Sequence, residues 1–306
     1  ITACWLYESM GDWVRLASAL KTIFALEEQS EELDAEDNGP LLLHLYQLIG
    51  QGKFVLATEI MDKLDHAPSQ NSDLLMNVEI CRVWLARRTG RFQDALDAAD
   101  KALAQPWDLP WNRGIIAVER EIARFQDGAQ PLEFGSEIKR LIDLRARPWL
   151  MRLRALLALR CHRTGNPRWR VHLNSVLRTS QRYGYGNILI TREPDLGAYF
   201  WTLCIEEEIA TEQATTALQR IGRTDLLCAL LQHPSPAVRC RALRVLAAMG
   251  NEATIPTLAE RLTTEKDGTV RAALESTIEK LETLPPPTLH VTLLGEFSAQ
   301  RGDTLI

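Results

Sequence analysis

The sequence is poor in the arrangements from which catalytic centres are built. No H-E-x-x-H, Gly-x-Ser-x-Gly or Gly-x-x-x-x-Gly-Lys-Ser/Thr string occurs in its 306 residues, which leaves zinc-peptidase, serine-hydrolase and P-loop chemistry without a motif. Tyr183-Gly184-Tyr185-Gly186 is glycine-rich but lacks a following lysine, so it reads as a loop rather than a phosphate cradle. The six cysteines (Cys4, Cys81, Cys161, Cys204, Cys228, Cys240) are scattered with no C-x-x-C pair. They are expected to be thiols of a reducing, cytoplasmic compartment, not a disulfide framework. Cys228, His233 and Cys240 have irregular spacing and no fourth partner, so no metal is expected. No apolar run approaches the roughly 20 residues of a spanning helix, and no signal peptide leads the chain; no membrane association is expected.

Charge is scarce in one sign locally. The net charge is only −5, yet Lys139 to Arg182 holds twelve basic residues against the single acid Asp143, while Ile1 to Asp37 holds nine acids against Arg15 and Lys21. Clustered charge creates a local potential that net charge conceals. Arg145, Arg147, Arg152, Arg154, Arg163, Arg168 and Arg170 are therefore a candidate patch for an anionic partner: phosphate, nucleic acid or an acidic domain of the same protein. A solvated helical face paired with acids of neighbouring repeats accounts for the same block.

What is present is helical periodicity. Glycines recur at Gly11, Gly52, Gly90, Gly128 and Gly165, spaced 41, 38, 38 and 37 residues apart near the ends of helical patterns. A period near 40 signals stacked helix pairs, and 306 residues exceed one compact core. In the clearest unit Gly90 ends one helix, Phe92 opens the next, and Ala95 and Ala102 lie a heptad apart on one face, where a second helix can approach closely. Gly52-Phe54-Ala57-Leu64 and Gly11-Trp13-Leu16-Ile23 repeat that grammar. The units around Gly128 and Gly165 place Glu133 and Arg170 where a small residue is expected. These units resemble tetratricopeptide repeats, and in their length they resemble the superhelical sensor of the maltose-regulon activator and related signal-transduction ATPases.

A second grammar follows Tyr183 to Gly197, a stretch whose glycines and Pro194 suggest a loop or boundary. Val238-Arg239 and Val270-Arg271 lie 32 residues apart, each opening an amphipathic helix, with Ile255-Pro256-Thr257-Leu258 between them. This segment resembles HEAT repeats. The resemblance implies that Arg239 and Arg271 donate hydrogen bonds between repeats, with Asp267 as a carboxylate partner. The expected fold is all-α: a tetratricopeptide-like superhelix over residues 1–182, a boundary or irregular helical segment at 183–210, HEAT repeats at 211–284, and at 285–306 a proline linker with a short β-hairpin.

In the tetratricopeptide frame, the residues six and three places before each glycine face an inner groove. Trp5, Tyr46 and Trp84 are a candidate aromatic strip there, with Glu8, Arg87, Phe125 and His162 beside it, for a protein or small-molecule effector. Packing between inner helices explains the same aromatics.

After Leu284-Pro285-Pro286-Pro287, alternation in Thr288 to Ile306 predicts strands. This tail resembles the first strands of the winged-helix domain in bacterial activators of the antibiotic-regulatory-protein type. The resemblance implies a segment cut from a longer transcriptional regulator: a sensor and coupling scaffold, not an enzyme. It further implies contact with adjacent domains of the same chain, and DNA binding only through a domain beyond Ile306. No cofactor is expected in this segment, although such regulators carry ATP in a domain that precedes the repeats. A protein-interaction scaffold unrelated to transcription is the alternative.

Overall fold

The computed structural model describes residues 7–8, 10–27, 38–66, 71–106, 109–128, 136–283, 289–292, 298–301 and 304–305. They form an all-α solenoid with two compact units, Ile1–Phe200 and Trp201–Ile306. Among the described residues no helix is long and apolar enough to cross a membrane. Trp5 and Glu133 lie outside the described residues.

The first unit is a run of paired helices: α1 (Trp13–Glu27), α2 (Gly39–Gly50), α3 (Phe54–His66), α4 (Ser72–Arg88), α5 (Phe92–Leu103), α6 (Pro110–Gln126), α7 (Ser136–Asp143), α8 (Arg147–Arg163) and α9 (Trp169–Tyr183). Helix α4 packs on α5 and on α6, and α6 packs on α7 and on α8, as stacked pairs require. The repeat glycines end the inner helices by one device. Gly11, Gly52, Gly90, Gly128 and Gly165 all have positive φ, and each donates its N–H to the carbonyl three residues back: Glu8, Ile49, Arg87, Phe125 and His162. After four of them the next residue donates to the carbonyl five back (Asp12 to Tyr7, Lys53 to Leu48, Arg91 to Ala86, Asn166 to Cys161), the Schellman pattern, which a left-handed glycine completes at least cost. Helix starts are marked as clearly. Asn71 caps α4 by accepting from the N–H groups of Asp73 and Leu74, and proline stands in the first turn of α2, α6 and α8, where its missing N–H costs nothing. Ala95, Ala99 and Ala102 line the buried face of α5, as the heptad spacing predicts. Arg170, at a position where that grammar asks for a small residue, is exposed, its guanidinium 5.0 Å from the centre of the Trp169 ring.

Tyr183 to Gly197 is not a loop. It holds a 3-10 turn (Tyr185–Asn187), a single turn of π-helix (Ile188–Arg192) and the start of α10 (Pro194–Glu206). Glycine and proline act here as close-contact and helix-start residues. A Cβ on Gly197 would overlap the carbonyl of Leu189, and Pro194 opens α10.

The second unit stacks α11 (Thr211–Ile221), α12 (Asp225–Leu230), α13 (Pro236–Met249), α14 (Ile255–Thr264) and α15 (Gly268–Glu282). Leu218, Leu227, Leu243, Leu246, Leu258, Val270, Leu274 and Leu281 are among its buried side chains, and α13 packs on α11, α12 and α15. Arg239 donates to the carbonyls of His233 and Pro234 and, at 2.9 Å, to Glu265. The carboxylate that receives it is therefore Glu265, not Asp267. Asp267 is occupied as the cap of α15, accepting from Thr269 and Val270. Arg271 reaches the Glu265 carbonyl at 3.4 Å. The backbone of the last described residues forms three short antiparallel strands, β1 (Leu289–Thr292), β2 (Ser298–Arg301) and β3 (Thr304–Leu305), with Leu289 opposite Arg301 and Gln300 opposite Leu305.

Candidate functional site

Three inner helices of the first unit, α4, α6 and α8, carry charge on a face that is otherwise apolar. On α4, Arg87 follows Ile80 and Trp84; on α6, Glu119 stands between Ile115, Ile116 and Ile122; on α8, Arg152 follows Trp149. All are buried. A helical period of 3.6 places each charge on the core stripe, so stacking the repeats collects them in one place. The turn before Gly11 adds Glu8, and the π-turn after α9 adds Arg192 and Glu193, also buried.

The result is a closed set of three arginines and three glutamates. Glu193 accepts from Arg87 at 2.7 Å and from Arg152 at 2.5 Å. Glu119 accepts from Arg87 through both Nε (3.0 Å) and Nη2 (2.8 Å), and from Arg152 on its other oxygen. Arg192 pairs with Glu8 at 2.9 Å. Its guanidinium lies 4.2 Å from the centre of the Trp84 ring and 4.9 Å from that of Trp149, held between two aromatic faces in a desolvated setting where such contacts are strongest. Burial alone would raise Glu119, but Arg152 and Arg87 outweigh it and hold the carboxyl at about 2. For Glu8 burial prevails over Arg192, and its pKa is raised. Burial lowers Arg152, whereas in Arg87 and Arg192 the surrounding glutamates overcome burial and raise the pKa.

The chain's own segment Ile188–Glu193 therefore packs against the inner helices α4 and α8. Beyond the charges, Thr191 donates its hydroxyl to the Gly11 carbonyl (2.7 Å), Trp13 donates its indole N–H to the Thr191 carbonyl (3.1 Å), and Arg88 donates to the Arg192 carbonyl (3.3 Å). Gly11 differs from its fellow repeat glycines here. A Cβ on Gly90, Gly128 or Gly165 would meet nothing, whereas on Gly11 it would run into Thr191 and Arg192.

The members of the expected aromatic strip that are described are packed side chains. Glu8, Tyr46, Trp84 and Arg87 are all buried, with the Tyr46 and Trp84 rings 6.1 Å apart. Phe125 and His162 belong to other contacts. Phe125 meets Tyr199 edge-on at 5.8 Å, and His162 meets Trp169 edge-on at 5.3 Å. Burial also pushes the Cys81 thiol, hydrogen-bonded to Tyr46, well above its usual range.

The arginine block divides as well. Arg152 belongs to the buried set. Arg163 lies over Phe125, 4.1 Å from the ring centre, and Arg168 and Arg170 are exposed on the turn into α9. Arg145, Arg147 and Arg154 instead line a surface cavity of about 390 Å³ together with Arg178 and Arg182. Sequence reasoning missed Trp149, Glu119, Arg192 and Glu193 as members of the buried set. The signal that finds the first two is an aromatic or charged residue on the apolar stripe of an inner helix. No local signal marks the other two.

Among the described residues no group of three or more His, Cys, Asp or Glu side chains is placed to hold a metal ion. A family model of HEAT repeats matches residues 206–279, which lie in the second unit. Repeats of this kind commonly mediate protein–protein interaction. No curated protein is similar enough to the chain to be matched to it.

Proposed function

We propose that this region is the sensor and coupling scaffold of a bacterial transcriptional regulator, without enzymatic activity or a cofactor of its own. The observation that carries the reading is the segment Ile188–Glu193, tied by Arg192 and Glu193 to the inner helices α4 and α8 and continuous in sequence with the helix Pro194–Glu206. In this reading the tetratricopeptide-like superhelix receives an effector or partner protein, and the segment is the element that responds. Release would take Glu193 from Arg87 and Arg152 and Arg192 from Glu8, so an occupant must supply matching charge of both signs. Inverting a 1:99 equilibrium needs about 5.5 kcal/mol of differential affinity, within reach of an occupant that replaces two charge-assisted contacts. The HEAT repeats then bear on the DNA-binding domain that the resemblance of the tail implies beyond Pro285–Pro287.

The test compares duplex binding by this chain with binding by the chain continued about 100 residues beyond Ile306, the size of a small domain. Sequence-specific binding by the longer form alone supports the regulator. Binding by neither rejects it and leaves an interaction scaffold, the reading that the HEAT match favours by itself.

A further inference from the structure

The cavity between α8 and α9 has no role in the coupling scheme, and its chemistry is one-sided. Arg147 and Arg154 are a heptad apart on α8, and Arg178 and Arg182 are four apart on α9, spacings that set each pair on one helix face. Arg145 completes the set from the turn before α8. None of the five forms an ion pair with a carboxylate of the described residues: their polar contacts are with the Ser175 hydroxyl, taken by Arg154, and the Asn174 carbonyl, taken by Arg178. Five guanidinium groups around about 390 Å³ repel one another, and among the described residues no carboxylate balances them.

Two further observations favour a ligand over a solvated face. Arg145 closes the end of α7 in the same way that glycine closes the inner helices: its N–H donates to Ile142, that of Ala146 to Leu141, and its φ is +53°. An arginine at a left-handed position costs about 1 kcal/mol relative to glycine, and here it brings a fifth guanidinium to the cavity. The walls are also mixed. Leu150 and Met151 line one part, while Tyr183 lies beneath the Arg147 guanidinium at 4.6 Å and stacks at 5.9 Å on Tyr185. The positive field is felt nearby: beyond the effect of burial, Arg154 and Arg168 help to lower the pKa of His172.

We infer that this cavity binds a small organic polyphosphate, a molecule with two or more phosphoryl groups joined to a flat or apolar body of about nucleotide size. Forked guanidinium groups match phosphoryl oxygens bidentately. Several such groups are needed to balance five charges, and the volume suits a ligand larger than an inorganic ion. The Ser175 hydroxyl offers one more donor, and Tyr183 with Leu150 a surface for the organic part. The inference stands whether or not the chain belongs to a regulator.

The test is calorimetric titration of the chain with ADP, with tripolyphosphate and with a short DNA duplex, at about 0.1 M salt so that long-range attraction is screened. ADP and tripolyphosphate are expected to bind one to one and to compete with each other. R147A/R178A, or R147Q/R178Q should the first fold poorly, is expected to weaken both at least tenfold without moving the thermal midpoint. No saturable binding by either phosphate, or equal affinity in the variant, overturns the proposal. Duplex binding tighter than that of ADP and lost in the same variant also overturns it, in favour of a nucleic-acid face.

Discussion

The two units bury arginine in different ways. In the first, Arg87, Arg152 and Arg192 come from parts of the sequence far apart and meet Glu8, Glu119 and Glu193 in one charge-balanced cluster. In the second, Arg239 meets Glu265 within a single repeat step, at 2.9 Å. The HEAT stack joins each repeat to its neighbour, so a local ion pair suffices. The superhelix uses charge to hold a segment that lies C-terminal to its last helix pair against helices at its beginning and middle. A buried pair is costly to break because the remaining charge is left uncompensated, which makes the cluster a device for position more than for net stability.

The two units should differ most in their response to substitution at Glu193. E193A leaves Arg87 and Arg152 short of a buried carboxylate and is expected to cost the first unit about 3–5 kcal/mol. Native-state hydrogen exchange should show it as faster opening of α4 and α8 with α13 unchanged. Equal loss of protection in α13 would show that the two units do not respond separately.

Acid should also act on the first unit through Glu119. Glu119 has a folded pKa of about 2 against about 4.3 for an unfolded glutamate, so its ionisation stabilises the fold above about pH 4 and that contribution is lost as pH falls toward 2. E119Q is therefore expected to be less stable than the native chain by on the order of 3 kcal/mol at neutral pH, the gap narrowing between about pH 4 and pH 2. A constant gap across that range, in urea titrations followed by exchange at α6, would refute the assignment. The smallest effect is expected at Arg239, where the pair is local and two of its hydrogen bonds go to carbonyls. R239M should cost the second unit about 1–3 kcal/mol, read as reduced protection in α13 and α15, and should leave α4 unaffected.

Much of this organisation is legible in the residues. The glycine period marks the ends of the inner helices because only a left-handed residue completes each Schellman turn, and glycine adopts that conformation most easily. Ala95 and Ala102 announce a close helix contact, and the two Val-Arg pairs announce the HEAT helices. Misreadings arise where a residue type has two uses. Gly184, Gly186, Pro194 and Gly197 suggest a loop, yet Gly197 is small because Leu189 passes against it and Pro194 opens a helix. Asp267 fits a partner for arginine and serves as a cap, which left Glu265 to take the guanidinium. Arg152 and Arg154 are indistinguishable by composition, but two residues along a helix are about 200° apart. One enters the core and the other lines the surface cavity.

Helical periods, turn positions and the uneven distribution of charge are already written in the order of residues, since they depend on backbone preference and on the spacing of side chains along one helix. It took the folded chain to bring Ile188–Glu193 against α4 and α8, to gather six charges there, and to leave five arginines elsewhere without a carboxylate among the described residues. Those outcomes depend on which side chains meet across tens to more than a hundred residues of chain, where burial sets the strength of each charge interaction and no local pattern records the partner.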